Sequence, residues 1–253
     1  MQPRCACHDT LPWLISVSLG RTMRAFWTVL IILLGPAAGF AGRRKLEVPR
    51  SRKVIYLSNA VNLLVLAGIT MAIDYAHGHT ALRLLVRIQP GMTVFIWSLC
   101  MALVCIAVVG VVFMARVLLH RPPRGTIVAL LPRTRGEKIA FVFLCLLIGL
   151  CEEFVYRGFA LSVLREWFRS DALAVAGVAV SFALMHGLQD SIAIISAFTL
   201  GVLLCVPVLS VQSLTPAIIG HIVVDVSAGL LMLSALHRGL GPRSNRRKDL
   251  TNQ

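Results

Sequence analysis

The chain alternates between long apolar runs and short segments that carry charge, glycine or proline. A helix needs about 20 apolar residues to cross the hydrocarbon core of a bilayer. By this measure the pattern predicts seven spans, within one either way: Phe26–Ala41, Val54–Ile73, Met92–Met114, Ile139–Phe159, Ala172–Leu188, Ile192–Leu209 and Thr215–Leu236. The predicted fold class is therefore all-α, a polytopic membrane helix bundle of about seven (six to eight) transmembrane helices.

The segment 157–170, RGFALSVLREWFRS, predicts a short interfacial amphipathic helix. Its charged residues lie away from one apolar face. The residues of that face recur at every fourth position: Phe159, Val163 and Trp167. Ser170 or Asp171 is placed to cap the following span.

The first apolar run permits two interpretations. Arg21 and Arg24 before it, and GPAAGFAG at its end, are typical of a cleaved signal peptide. The six basic residues at 43–53 would resist translocation, so we favour a retained anchor.

The same pattern suggests four regions. They are an N-terminal extension that need not be structured (1–24), N-terminal transmembrane helices (25–136), a core that carries the chemistry (137–238) and a basic tail (239–253).

Composition agrees with a membrane protein. Hydrophobic residues make up 57% of the chain and charged residues only 14%, against about 25% charged in soluble domains. The net charge is +14, but the bases flank apolar runs and form no single nucleic-acid-binding face. The segments 42–53, 115–138 and 237–253 hold 17 of the 25 Lys and Arg residues. The positive-inside rule therefore predicts that these segments, and the C-terminus, are cytoplasmic.

The cysteines do not predict a metal site or a disulfide framework. Five of the seven fall within or beside apolar runs, as expected of small buried hydrophobic residues. The CACH segment near the N-terminus has no second pair of ligands to complete a site.

The fourth apolar run ends in a charged cluster, Glu152, Glu153 and Arg157. A charge near the centre of a membrane helix costs at least ~2.5–3.5 kcal/mol, so such residues are functional candidates. Glu153 and Arg157 are four residues apart and can pair on one helix face. Glu152 is turned about 100° away and lacks that partner, which favours it as a general base. The alternative is a salt bridge that snorkels at a helix end.

Two more polar clusters lie inside predicted spans. SFALMHG places Phe182 and His186 on one helix face, and TPAIIGHIVVDV places His221 four residues before Asp225. The alternatives are a hydrogen-bonded core histidine and a polar clamp between helices. At a rise of about 1.5 Å per residue, all three clusters fall in the middle two-thirds of a ~30 Å bilayer core. They can therefore share one polar chamber.

In chain order these residues read EExxxR, FxxxH and HxxxD: Glu152, Glu153, Arg157, Phe182, His186, His221 and Asp225. The series resembles the CAAX protease and bacteriocin-processing (CPBP, or Abi) family of intramembrane endopeptidases, which is related to type II CAAX prenyl proteases. The neighbouring EEFVYRG and LTPAIIGH agree with that pattern. The resemblance covers about Lys138 to Leu236.

This resemblance implies peptide-bond hydrolysis inside the membrane. By position, Glu152 is the general base that activates water, and His186 helps to hold that water. His221 and Asp225 would stabilise the oxyanion, which requires an N–H donor on His221 and a protonated Asp225. The family more often has Asn at this last position, so a non-catalytic immunity or scaffold protein of the same family is the alternative function.

The resemblance also assigns supporting roles and leaves the cofactor open. Glu153 and Arg157 would support and orient Glu152, and Phe182 would pack against His186. We favour a metal-free reaction; the alternative is a zinc-dependent protease with Glu153, His186 and His221 as ligands and water in the fourth position.

The implied partners are membrane lipid and a hydrophobic or lipid-anchored peptide or protein substrate. The Arg-rich chain and its basic tail favour a bacterial cytoplasmic membrane. A proton-coupled transporter is disfavoured, because no inverted repeat is visible and the polar residues cluster in the C-terminal half.

Overall fold

The structure is a computed structural model that describes residues 22–33, 51–86, 91–121, 130–186 and 190–237. Every regular element in these ranges is helical. In chain order the elements are α1 (Thr22–Leu33), α2 (Arg52–Ala76), α3 (Thr80–Val86), α4 (Met92–Leu118), α5 (Arg135–Glu153), a π-helical segment (Phe154–Ala160), α6 (Leu161–Phe168), α7 (Asp171–Met185), α8 (Ser191–Leu203), α9 (Cys205–Val211) and α10 (Thr215–His237).

The predicted all-α membrane bundle is confirmed. In the part of the chain described, five helical stretches are long and apolar enough to cross a membrane: Arg52–Ala76, Met92–Leu118, Arg135–Phe168, Ser191–Val211 and Thr215–Ser234. The shorter apolar helices α1 and α7 coincide with the predicted first and fifth spans. The second half of the first span, most of the N-terminal extension and the basic tail lie outside the described residues.

Local sequence explains where several helices begin. Thr134 and Glu137 form a capping box that starts α5. The Ser170 side chain accepts a hydrogen bond from the Leu173 N–H and caps α7, as predicted. Pro207 lacks an N–H, and it lies just after Leu204, where α8 gives way to α9.

The predicted amphipathic helix is present as α6, but it does not form a separate element. It continues α5 through the π-helical segment, in which the Leu161 N–H donates to the Tyr156 carbonyl five residues earlier. All residues from Glu153 to Leu161 are buried, whereas Trp167 and Phe168 are exposed. The first half of the segment 157–170 therefore packs within the protein.

Close helix crossings hold the bundle together. Helix α10 packs mainly on α4 and also on α5, while α7 packs on α8. A Cβ added at Gly149 of α5 would lie 2.6 Å from Ile222 Cγ1 of α10, and one at Gly201 of α8 would lie 3.0 Å from the Ala179 Cα of α7. Glycine at these positions allows α5 to approach α10, and α7 to approach α8; α5, α7 and α10 carry the three polar clusters.

Candidate active site

A cavity of about 400 Å³ lies among helices α4, α5, α7, α8 and α10. Polar residues of all three predicted clusters line it: Glu152 from the first, His186 from the second, and His221 and Asp225 from the third. Most of the other lining residues are apolar. The structure thus brings the three clusters together around one chamber.

Glu153 and Arg157 form an ion pair behind this cavity. Arg157 Nη1 donates to Glu153 Oε1 at 2.9 Å, and both side chains are fully buried. Arg157 Nη2 also donates to the Gly201 carbonyl of α8 at 3.4 Å. The guanidinium lies 4.4 Å from the centroid of the Phe182 ring, within the range of a cation–π contact. These contacts fix Arg157 between α8 and α7.

Glu153 contacts His221 directly. His221 Nδ1 lies 2.7 Å from Glu153 Oε1, and since a carboxylate accepts hydrogen bonds, this nitrogen carries the proton. The resemblance implied that Glu153 orients Glu152, but its short contacts are with Arg157 and His221. A carboxylate that holds one imidazole nitrogen sets the orientation of the other.

The second nitrogen of His221, Nε2, lies near two acidic side chains. His221 Nε2 lies 3.7 Å from Glu152 Oε2 and 3.9 Å from Asp225 Oδ2. Asp225 Oδ2 makes no hydrogen bond within the described ranges. That oxygen is a buried acceptor beside the cavity whose hydrogen-bonding capacity is unused by the described residues.

Phe182 connects both histidines. Its ring centroid lies 4.9 Å from that of His186 and 5.8 Å from that of His221. His186 Nδ1 donates to the Phe182 carbonyl at 2.9 Å, which leaves Nε2 of the neutral ring as an acceptor. The contact between Phe182 and His186 that the resemblance implied is thus observed in the structure.

Exposure separates the supporting residues from those that face the cavity. The side chains of Glu153 and Arg157 are 0% exposed, that of His221 is 7%, that of Glu152 is 14% and that of Asp225 is 26% exposed. Adjacent residues Glu152 and Glu153 therefore occupy different environments.

Several contributing residues were not singled out in the sequence. The Tyr156 hydroxyl donates to Met185 Sδ at 2.7 Å, next to His186. Arg116 and Asp190 form a bidentate ion pair, with distances of 2.6 and 2.9 Å, at the cavity wall formed by Arg116. In the sequence, Arg116 lies just beyond the end of a predicted span and was counted with the following loop. The structure instead places it in the last turn of α4, where it is buried.

One donor atom of each alternative zinc ligand already has a partner within the protein. Glu153 Oε1 contacts both Arg157 and His221 Nδ1, and His186 Nδ1 contacts a backbone carbonyl. Within the described ranges, no group of three or more His, Cys, Asp or Glu side chains is placed to hold a metal ion.

Part of the chain matches a known protein family. A family model described as "Type II CAAX prenyl endopeptidase Rce1-like" matches residues 134–227, a range that includes all seven residues of the three motifs. No curated protein and no solved structure matches the chain. The long apolar helices and this match identify an integral membrane protein. Over residues 134–227, which are less than half of the chain, the sequence is similar to the Rce1-like family of type II CAAX prenyl endopeptidases.

Proposed function

We propose that the protein is an intramembrane endopeptidase that hydrolyses a peptide bond of a membrane-embedded or lipid-anchored substrate. The observation that carries the proposal is the shared cavity of Glu152, His186, His221 and Asp225. Its largely apolar lining suits a hydrophobic chain, and its buried ion pair keeps the cavity-facing groups in place.

In this proposal Glu152 is the general base. It removes a proton from water as the water oxygen attacks the scissile carbonyl carbon, and it returns that proton to the leaving amine. His186 Nε2 accepts a hydrogen bond from the same water. An imidazolium at His221, paired with Glu153 through Nδ1, and a protonated Asp225 donate to the oxyanion. The products are one carboxylic acid and one amine, and no step uses a metal.

The first prediction tests this division of roles. Glu152→Gln should lower cleavage of a membrane-anchored reporter by about 10²–10⁴-fold, the usual contribution of a general base. His186→Ala should also lower cleavage, because the attacking water loses the acceptor that holds it. Glu137→Gln is the matched control, since it makes the same change at the exposed start of α5 and Gln preserves a capping box.

Purified variants should be compared in detergent with a chelator present, and then with added Zn²⁺. Equal cleavage by wild type and Glu152→Gln would refute the proposal. Full dependence of wild-type activity on Zn²⁺ would refute its metal-free form.

Asp225 favours one alternative, a non-catalytic immunity or scaffold protein. An Asp must be protonated to donate a hydrogen bond, whereas the Asn more usual in the family donates at any pH. An inactive wild type whose biological effect survives Glu152→Ala would support that alternative.

We also propose a location. The Arg-rich chain and its basic tail favour a bacterial cytoplasmic membrane, and the distribution of Lys and Arg favours a cytoplasmic C-terminus. Membrane lipid and a hydrophobic or lipid-anchored substrate are the proposed partners, and no nucleic acid is proposed.

A further inference from the structure

A second groove, of about 580 Å³, lies where α6 ends. Its walls come from α3, from α6 and the turn that follows it, and from the end of α9. It shares no lining residue with the cavity of Glu152 and His221. The groove is therefore a separate feature of the molecule.

Arginine dominates the groove. Arg83, Arg165 and Arg169 line it, against the two carboxylates of Glu166 and Asp171. Both carboxylates already have partners. Arg165 Nε lies 2.6 Å from Asp171 Oδ1, and Glu166 pairs at 3.3 Å with Arg24.

Arg83 and Arg169 consequently make no ion pair with any residue that the structure describes. With Arg24 included, four guanidinium groups gather around two carboxylates. The groove therefore carries excess positive charge.

The walls of the groove are held by backbone contacts. The Leu214 N–H donates to the Leu84 carbonyl at 3.1 Å and ties α3 to the segment before α10. A Cβ added at Gly158 would lie 3.0 Å from Ala81 Cβ, so α3 also packs tightly against the π-helical segment. The groove is thus formed by fixed elements.

Large apolar side chains surround this end of the molecule. Trp167 is 43% exposed, Phe168 is 47% exposed and Leu173 is 57% exposed. Trp167 and Phe168 end the apolar stretch Arg135–Phe168, which is long enough to span a membrane. Aromatic residues beside cations at the end of a span are typical of the headgroup level of a bilayer.

We propose that this groove binds the phosphate-bearing headgroup of an anionic lipid. Guanidinium groups bind phosphate oxygens through charge-assisted hydrogen bonds, and Arg83 and Arg169 are the two groove cations that lack a carboxylate partner among the described residues. The acyl chains of a lipid would cover Trp167 and Phe168, which a free phosphate ion would leave exposed. The site is independent of the proposed proteolysis.

The test measures retention of phosphatidylglycerol and phosphatidylcholine by the full chain in detergent, using native mass spectrometry. Wild type should retain phosphatidylglycerol preferentially. Since a surface cation contributes about fivefold to binding of anionic lipid, Arg83→Gln combined with Arg169→Gln should reduce that preference by about 25-fold. Arg133→Gln combined with Arg135→Gln is the control, because both residues are exposed and lie at or just before the opposite end of the stretch Arg135–Phe168.

An equal loss of phosphatidylglycerol retention in the control variant would contradict the proposal. It would show that retention depends on total positive charge and not on the groove. Competition by millimolar inorganic phosphate distinguishes a site for a lipid headgroup from a site for the free phosphate ion. Lipid that stays bound supports the proposal, and displacement by phosphate alone overturns it. Glu152→Gln should retain lipid as wild type does, so failure of the proteolytic function would not affect this result.

Discussion

At the scale of single residues, the main feature is the difference between two adjacent glutamates. Glu153 Oε1 lies between Arg157 and His221 and is completely buried. Glu152 faces the cavity and lies 3.7 Å from His221 Nε2. The same functional group therefore serves as structural support at one position and is available for chemistry at the next.

A second prediction compares these neighbours by stability. Glu153→Gln leaves the buried Arg157 without a counter-charge, and removing one partner of a buried ion pair costs about 3–5 kcal/mol. Glu152→Gln removes no arginine partner and should leave thermal unfolding in detergent close to wild type. Equal losses of melting temperature in the two variants would contradict the assignment of Glu153 as the structural residue and Glu152 as the residue that faces the cavity.

At the scale of elements, the site depends on how closely two helices cross. Gly149 of α5 faces Ile222 of α10, next to His221. The π-helical segment follows directly after Glu153, and such segments frequently occur at functional sites. Helix geometry therefore places Glu152, Glu153 and His221 within contact distance.

The third prediction is a pair of Gly→Ala changes. At Gly149 the added methyl would lie 2.6 Å from Ile222 Cγ1, and the overpacking cost of about 1–3 kcal/mol should exceed the gain of about 1 kcal/mol in helix propensity. Gly149→Ala should therefore lower both thermal stability and cleavage.

Gly110→Ala in α4 is the matched control, because a Cβ there meets no atom within 4 Å. It should preserve or raise stability. A similar effect of both changes on the melting temperature would show that the crossing of α5 and α10 is not as tight as described.

At the scale of the whole molecule, Arg116 and Asp190 connect distant parts of the chain beside the cavity. Asp190 also accepts a hydrogen bond from the Ala193 N–H and so caps α8. Partial burial acts to raise the pKa of Asp190. The hydrogen bond and positive charge of Arg116 and the hydrogen bond from the Ala193 N–H outweigh this effect, so the pKa lies below the usual 3.8. The ionised form is thus the one that the fold stabilises.

The fourth prediction follows from the sign of this change. Because the folded-state pKa is below the unfolded value, the stabilisation is present above the unfolded pKa and is lost as pH falls through the folded pKa. The melting temperature of wild type should exceed that of Asp190→Asn by a constant amount between pH 5 and 7. The difference should shrink below about pH 4. A difference that grows on acidification would contradict this assignment.

Much of the architecture could be predicted because the information is local. Apolar runs of sufficient length predicted the long helices, and the spacing of Glu153 and Arg157 predicted their ion pair, since residues four apart share a helix face. The cap at Ser170 also depended only on neighbouring residues. The seven motif residues were recognisable from order and spacing, and their catalytic roles stay proposals.

Other features depended on contacts between helices. Glu153 reaches His221 across 68 positions of the chain, and Arg116 reaches Asp190 across 74. The spacing of residues along one helix does not predict such pairs, because they depend on which helices pack together and on how those helices are aligned. Residue types and their spacing were enough to show which apolar helices carry charge. The packing of α5 against α10 was needed to show that Glu153 holds His221 while Glu152 faces the cavity, because helix crossings set those distances.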